Sequence, residues 1–174
     1  GGIVGDIKAG NRYTDNTNTG KITAVNLTEG AYAYAGGFAG GVHNTASMQI
    51  SGNRNEGEVS AQTAGEDSQK VGAGGIVGQL AANSKPDAVA TVKNSRNYAD
   101  IVLITGAGSA GNKDKMAGGV LGRIYGSNDV TVDGCVNSGN IVNPGTGWAA
   151  SGGIVGQAET YNYNWSNSAE CDIE

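Results

Sequence analysis

Acid–base chemistry on a sugar or ester bond needs two carboxylates, or carboxylates grouped with Arg or Lys around a metal, on one face of neighbouring elements. The acidic residues of this chain are instead spread through polar, turn-rich stretches: Asp6, Asp15, Glu29, Glu66, Asp67, Asp87, Asp114 and Asp129. Glu56 with Glu58 and Asp129 with Asp133 are the closest spacings, and neither meets an acidic counterpart at the matching position of both flanking repeats. They read as solvated turn carboxylates. His43 is the single histidine and has no Ser, Cys or His partner at a recognisable spacing, which speaks against a triad or a zinc site. Gly106-Ala107-Gly108-Ser109-Ala110-Gly111 has the outline of a dinucleotide fingerprint, but no helical pattern follows to supply an anion-binding N-terminus. No Asp recurs at the fixed phase of a calcium-binding nonapeptide roll. The threonines, among them Thr14, Thr17, Thr23, Thr91 and Thr131, do not fall into one column, as an ice-binding face would require. The sequence therefore predicts no catalytic set, no metal site and no cofactor.

Aromatic side chains are the remaining chemistry. Tyr161, Tyr163 and Trp165 alternate, so that on a strand they project from one face; Tyr32 and Tyr34 do the same, and Trp148 sits in a loop. Ring faces of this kind stack on sugars, which makes Trp148, Tyr161, Tyr163 and Trp165 the candidate carbohydrate- or partner-binding residues. The competing role is to cover an apolar end of the fold or pack on a neighbouring unit. Of the two cysteines, Cys135 takes a position held elsewhere by Asn16, Asn53 and Ser95, whereas Cys171 reads as an apolar position, and unlike columns argue for free thiols.

The elements that position these residues are repeats. Gly-Gly-apolar-apolar-Gly begins at Gly1, Gly36, Gly74, Gly118 and Gly152, with starts 35, 38, 44 and 34 residues apart. Such periods mark units that bury their apolar faces only by stacking. Each unit also carries a nine-position block of constant spacing, Tyr13 to Ile22, Ile50 to Val59, Val92 to Ile101, Val132 to Ile141 and, degraded, Asn162 to Cys171. Its central residue is Asn18, Asn55, Asn97, Asn137 or Asn167, followed two positions on by Gly20, Gly57, Ala99, Gly139 or Ala169. Length varies only after the pentapeptide and before the next one, as loops on a fixed frame do.

Each unit has three short apolar segments rich in Val, Ile and Thr, bounded by Gly, Asn, Asp and Ser, and none is long enough for a helix. The 31 glycines weigh further against helix, at roughly 1 kcal/mol per interior Gly. This predicts an all-β fold: a right-handed parallel β-helix, a solenoid with three short strands per coil and between four and five coils. Residues 1–174 read as a single β-helix segment, cut from a longer array, because the chain opens inside a repeat at Gly1 and stops at Glu174 before a third strand of the fifth unit. The Asn column is expected to sit at a sharp turn, tolerating left-handed backbone angles and forming an amide ladder along the axis. Ile22, Val59, Ile101, Ile141 and Cys171, and Ile3, Phe38, Ile76, Val120 and Ile154, are the interior columns; period-two logic leaves open which way Val4, Ala39, Val77, Leu121 and Val155 face.

Gly74-Gly75-Ile76-Val77-Gly78 together with Cys135-Val136-Asn137-Ser138-Gly139-Asn140-Ile141 and Asn53-Arg54-Asn55-Glu56-Gly57-Glu58-Val59 resembles the GLUG-motif repeats of large bacterial surface or secreted proteins, including the non-catalytic regions of immunoglobulin-A-cleaving metalloproteases. The resemblance spans five units. Ala99 and Ala169 depart from the turn Gly, and the unit around Trp165 has decayed. It implies a β-helical segment attached to other domains, with an extracellular or cell-surface setting and no defined active site.

Eleven basic against sixteen acidic residues give a net charge of −5, which disfavours nucleic acid or an anionic membrane as partner. No apolar run approaches the ~20 residues of a membrane span. The expected function is a non-enzymatic spacer or adhesive surface, with host glycans, polysaccharide or matrix protein as partners. The alternatives are a carbohydrate-active β-helix of lyase or hydrolase type with its catalytic residues outside this stretch, and end-to-end self-association through open edges, a contact that need not close.

Overall fold

A computed structural model describes residues 1–8, 12–26, 32–43, 47–63, 70–82, 89–105, 115–126, 129–144, 148–160 and 171–173. Every described element is a β-strand, and the strands stack in parallel, in register, as a β-solenoid. Five sheets run along its axis. In chain order, one passage through them uses Ala39–His43 (sheet A), Met48–Ser51 (sheet B), Arg54–Asn55 (sheet C), Val59–Thr63 (sheet D) and Val71–Gly74 (sheet E), and the next passage begins at Val77–Ala82, again in sheet A. Sheets A and B have five strands each and the other three have four.

Five strand segments thus replace the three expected per unit. The difference lies at two corners. The stretch leading to each Asn is divided between sheets B and C, and the pentapeptide is not a strand but a corner: Gly36 ends a strand of sheet E, Gly37 and Phe38 bend, and Ala39 opens a strand of sheet A. A Cβ on Gly75 would run into the carbonyl oxygen of Gly119 and the side chain of Asn97, so corners of successive coils stack backbone on backbone with no room for even a methyl group.

The corner also settles which way the two apolar residues face. The amides of Ile76 and Val77 both donate to the Val120 carbonyl, at 2.9 and 3.0 Å, and those of Phe38 and Ala39 both donate to Ile76 O, at 2.9 and 3.0 Å. Two successive amides aimed at one carbonyl mark a bend in the backbone that repeats in register from coil to coil, and it breaks the in–out alternation of a regular strand. Both side chains can then enter the interior, and Phe38, Ala39, Ile76, Val77, Val120 and Leu121 are all buried. They join Val42, Leu80, Ile50 and Val92 in a core between sheets A and B, while Val59, Ile101, Leu103 and Ala73 fill a second one between sheets D and E. Each fully buried Ile or Leu contributes about 1.5–3 kcal/mol, so cohesion accumulates coil by coil.

Left-handed backbone falls elsewhere than the ladder Asn. Asp15, Gly52, Asn94 and Gly134 have φ of 60°, 66°, 50° and 60° and form one column at the B–C corner, three positions before the Asn, which itself lies in an extended strand. Only Gly, Asn and Asp occupy that column, the residues that enter this region at least cost. Asn94→Val is expected to destabilise by about 1–2 kcal/mol and Asn94→Gly to be close to neutral, as read from urea unfolding midpoints.

The fifth unit differs from its predicted alignment. Cys171–Ile173 pairs with Val130–Val132 in sheet B, which places Cys171 in register with Val130 and removes it from the Ile22, Val59, Ile101, Ile141 column. The physical reason is spacing: the sequence after the pentapeptide is the part of each unit whose length varies, so a match made across it does not fix the register. Asn167 itself lies outside the described residues.

One charged side chain interrupts an inward column. Lys115 is in register with Val71 and Ala149, and is 3% exposed. Burial pushes its ammonium pKa below the usual lysine value. Between the folded and unfolded pKa the unfolded chain holds the extra proton, so stability rises with pH through this window and levels off near the unfolded value. Lys115→Met is expected to raise the melting temperature at pH 7, with the advantage shrinking as pH approaches about 10.4; thermal melts across pH 7 to 10.5 check it.

Candidate functional site

Two polar constellations stand out, one inside the coil and one outside. Inside, Asn18 Nδ2 donates to Asn55 Oδ1, Asn55 Nδ2 to Asn97 Oδ1, and Asn97 Nδ2 to Asn137 Oδ1, each at 2.7 Å. The second hydrogen of each amide goes to the carbonyl two residues on: Gly20, Gly57, Ala99 and Gly139, at 2.7–2.9 Å. Every polar atom of the central amides is thereby used, which is what permits Asn55 and Asn97 to be completely buried. The ladder packs against the second glycine of the pentapeptides, Asn55 on Gly37, Asn97 on Gly75 and Asn137 on Gly119. The two sequence motifs are therefore the two sides of one internal contact.

A shorter polar line runs beside it. Asn16 Nδ2 donates to Asn53 Oδ1 at 2.8 Å, and the backbone N–H of Asn53 to Ser95 Oγ at 3.3 Å. Cys135 ends the line as a free thiol, 3.6 Å from Val92 O. Burial pushes its pKa up, so it is a poor nucleophile at neutral pH. This interior is structural: it is closed to ligands.

The outer constellation lies where sheets E and A meet. Their outward faces confront each other across a re-entrant corner, with Arg123 of sheet A and Tyr34 of sheet E lining the same cleft. A cleft of about 430 Å³ opens there, lined by Tyr32, Tyr34, His43, Lys70, Gln79, Arg123 and Tyr125. Gly72, in register with Tyr34, leaves the space in which that ring lies: a Cβ there would stand 2.8 Å from Tyr34 Cδ1. Tyr32 and Tyr34 stack with ring centroids 6.0 Å apart and planes 12° from parallel.

The floor of the cleft is polar and buried. Gln79 and Arg123 are register partners on adjacent strands, 8% and 2% exposed. Arg123 Nη2 donates to Glu159 Oε2 at 2.5 Å, and its guanidinium lies 4.4 Å from the Tyr125 ring centroid. Burial works against its charge, and the Glu159 carboxylate and Tyr34 hydroxyl more than offset this, holding the pKa above the usual arginine value. Yet Arg123 Nε and Gln79 Oε1 have no hydrogen-bond partner, and neither has Gln157 Oε1, next in the same column. At the other end His43 Nε2 lies 3.3 Å from Asp6 Oδ1.

No family model, curated protein or solved structure matches this chain. The cleft must therefore be read from its own residues. Of the aromatic candidates, Trp148 is 68% exposed and precedes a strand of sheet E, as Tyr32 and Lys70 do; the Lys115 amide donates to its carbonyl as the Ala33 amide does to Lys70. It thus lies along the same sheet edge as the cleft mouth without lining it. Tyr161, Tyr163 and Trp165 lie outside the described residues. Sequence reasoning paired Tyr32 with Tyr34 but missed Gln79, Arg123, Lys70 and Tyr125. The signal for the floor was present: the residue directly after each pentapeptide is Asp6, Gly41, Gln79, Arg123 or Gln157, never apolar. Among the described residues no group of three or more His, Cys, Asp or Glu side chains is placed to hold a metal ion.

Proposed function

We propose that this chain is a non-enzymatic adhesive segment of a bacterial cell-surface or secreted protein, holding a polysaccharide or host glycan against the outer corner of a stiff solenoid. The observation that carries this reading is the E–A cleft, in which stacked tyrosines stand over buried amide and guanidinium groups with unused hydrogen-bonding capacity. Aromatic faces beside a few placed polar groups are how binding sites fix an amphipathic ligand. The stacked coils support the spacer half of the role, since each coil contacts only its neighbours and the array extends without changing section. We take the coil to be right-handed, the hand that parallel crossover connections nearly always adopt, and to run for between four and five turns, on the order of 20 Å at the usual strand spacing. The resemblance to GLUG-motif repeats supports the extracellular setting.

Glycan arrays and immobilised matrix proteins probed with the 174-residue chain test the adhesive half. Binding to a defined set of glycans is the expected result; uniformly negative arrays would leave only the spacer. Incubation with uronate polymers is expected to release no unsaturated products, and their appearance would return the chain to the lyases.

A further inference from the structure

We infer that the cleft between sheets E and A takes an uncharged, hydroxyl-rich pyranose chain lying along the solenoid axis, with Gln79 and Arg123 reading its hydroxyls and Tyr34 and Tyr125 its ring faces. This rests on the glycan-binding reading above and makes it specific. The starting point is the pair of unused groups on the floor. Gln79 Oε1 can only accept a hydrogen bond and Arg123 Nε can only donate one, and both are shielded from solvent. Buried polar atoms without partners are uncommon in folded proteins and call for an explanation. A ligand that satisfies both must offer a donor and an acceptor side by side, and neighbouring hydroxyls on a sugar ring do so, each able to play either part.

Geometry sets the direction. Gln79, Arg123 and Gln157 follow one another in register across three strands of sheet A, at a repeat of about 4.8 Å, giving acceptor, donor, acceptor along the axis. Gly41, the register partner of Gln79 on its other side, contributes no side chain, and a Cβ there would stand 3.1 Å from Asp6 Oδ1 and 3.7 Å from His43 Nε2. The ligand therefore runs across successive coils instead of around one.

Charge decides against an acidic sugar. Arg123 already has Glu159 on Nη2 at 2.5 Å, so the buried cation of the cleft faces a carboxylate of the chain itself, and a second carboxylate, Asp6, lies 3.3 Å from His43 Nε2. Lys70 lies 5.9 Å from the Tyr125 ring centroid, and the protein as a whole carries −5. A polyanion would approach against that field.

Calorimetric titration of the 174-residue chain with cellohexaose, mannohexaose, xylohexaose and hexagalacturonate tests the inference. At least one neutral hexaose is expected to bind, with hexagalacturonate weaker by roughly ten-fold or more. Gln79→Met keeps the volume but removes the acceptor; it is expected to weaken neutral binding by roughly ten-fold without lowering the melting temperature, and Gly41→Leu, which sets a side chain between Asp6 and Gln79, to weaken it independently. Trp148→Ala, outside the cleft, is expected to leave affinity unchanged. Binding of hexagalacturonate as tight as the neutral sugars, unchanged affinity in both cleft variants, or no neutral hexaose bound would overturn the inference. In the first two cases glycan binding itself survives; only when the array is blank as well does the broader reading fall with it.

Discussion

Gly75→Ala is expected to destabilise the solenoid by about 3 kcal/mol or more, while Gly153→Ala, the equivalent position two corners along, changes it by less than about 0.5 kcal/mol. The two glycines hold the same place in the pentapeptide. A Cβ on Gly75 meets the Gly119 carbonyl oxygen and the Cβ and Cγ of Asn97, whereas one on Gly153 meets nothing within 4 Å. The obstacle at Gly75 is backbone that belongs to the next coil, so relief requires two stacked corners to separate, together with the carbonyl shared by Ile76 and Val77. Intrinsic preference for alanine over glycine acts equally at both sites and cancels in the comparison. Urea unfolding followed by circular dichroism reads the difference; equal losses at the two positions would mean that the packed corner is not what the glycine serves.

Asn55→Leu is expected to cost about 3 kcal/mol, and Asn137→Leu about 1 kcal/mol. Asn55 is fully buried and loses three bonds at once, from Asn18, to Asn97 and to the Gly57 carbonyl. The last of these leaves a carbonyl without its donor inside the coil. Asn137 is half-buried, so water can replace part of what it loses. A double-mutant cycle on Asn55 and Asn97 is expected to show coupling of about 1 kcal/mol or more, because adjacent amides in a chain polarise one another. Additive losses would show that each Asn acts through its local turn alone.

Much of the frame was legible because it rests on residues with few substitutes. A hydrogen-bonded amide at Asn18, Asn55, Asn97 and Asn137 and a glycine at each stacked corner leave fixed marks in the sequence, and the spacing between Asn and the following apolar residue never changes. The corner itself was not legible. Gly-Gly-Ile-Val-Gly has the same composition whether it extends or bends, and only the two amides sharing one carbonyl show that both apolar residues turn inward. The left-handed column is not legible, because Asn55 and Gly52 both tolerate positive φ and the sequence does not say which is asked to adopt it. Cys171 falls in register with Val130 because nothing of fixed spacing in the sequence before it sets its place. The cleft was half-legible: Tyr32 and Tyr34 alternate visibly, but Gln79 and Arg123 become neighbours only through pairing between coils 44 residues apart.

The internal ladder gives the molecule a sense of direction. Because each carbonyl two residues past an Asn can only accept, the amide must turn its NH2 toward that carbonyl, and its oxygen then faces the preceding coil. All four amides therefore point the same way, and their dipoles add head to tail along the axis, as peptide dipoles do in a helix. The two faces of any coil are consequently unlike, one offering an acceptor and the other a donor. A further coil, or a second copy laid end on, continues the line in one polarity and meets like against like in the other, so an array built on this ladder grows as an arrow and never as a mirror pair.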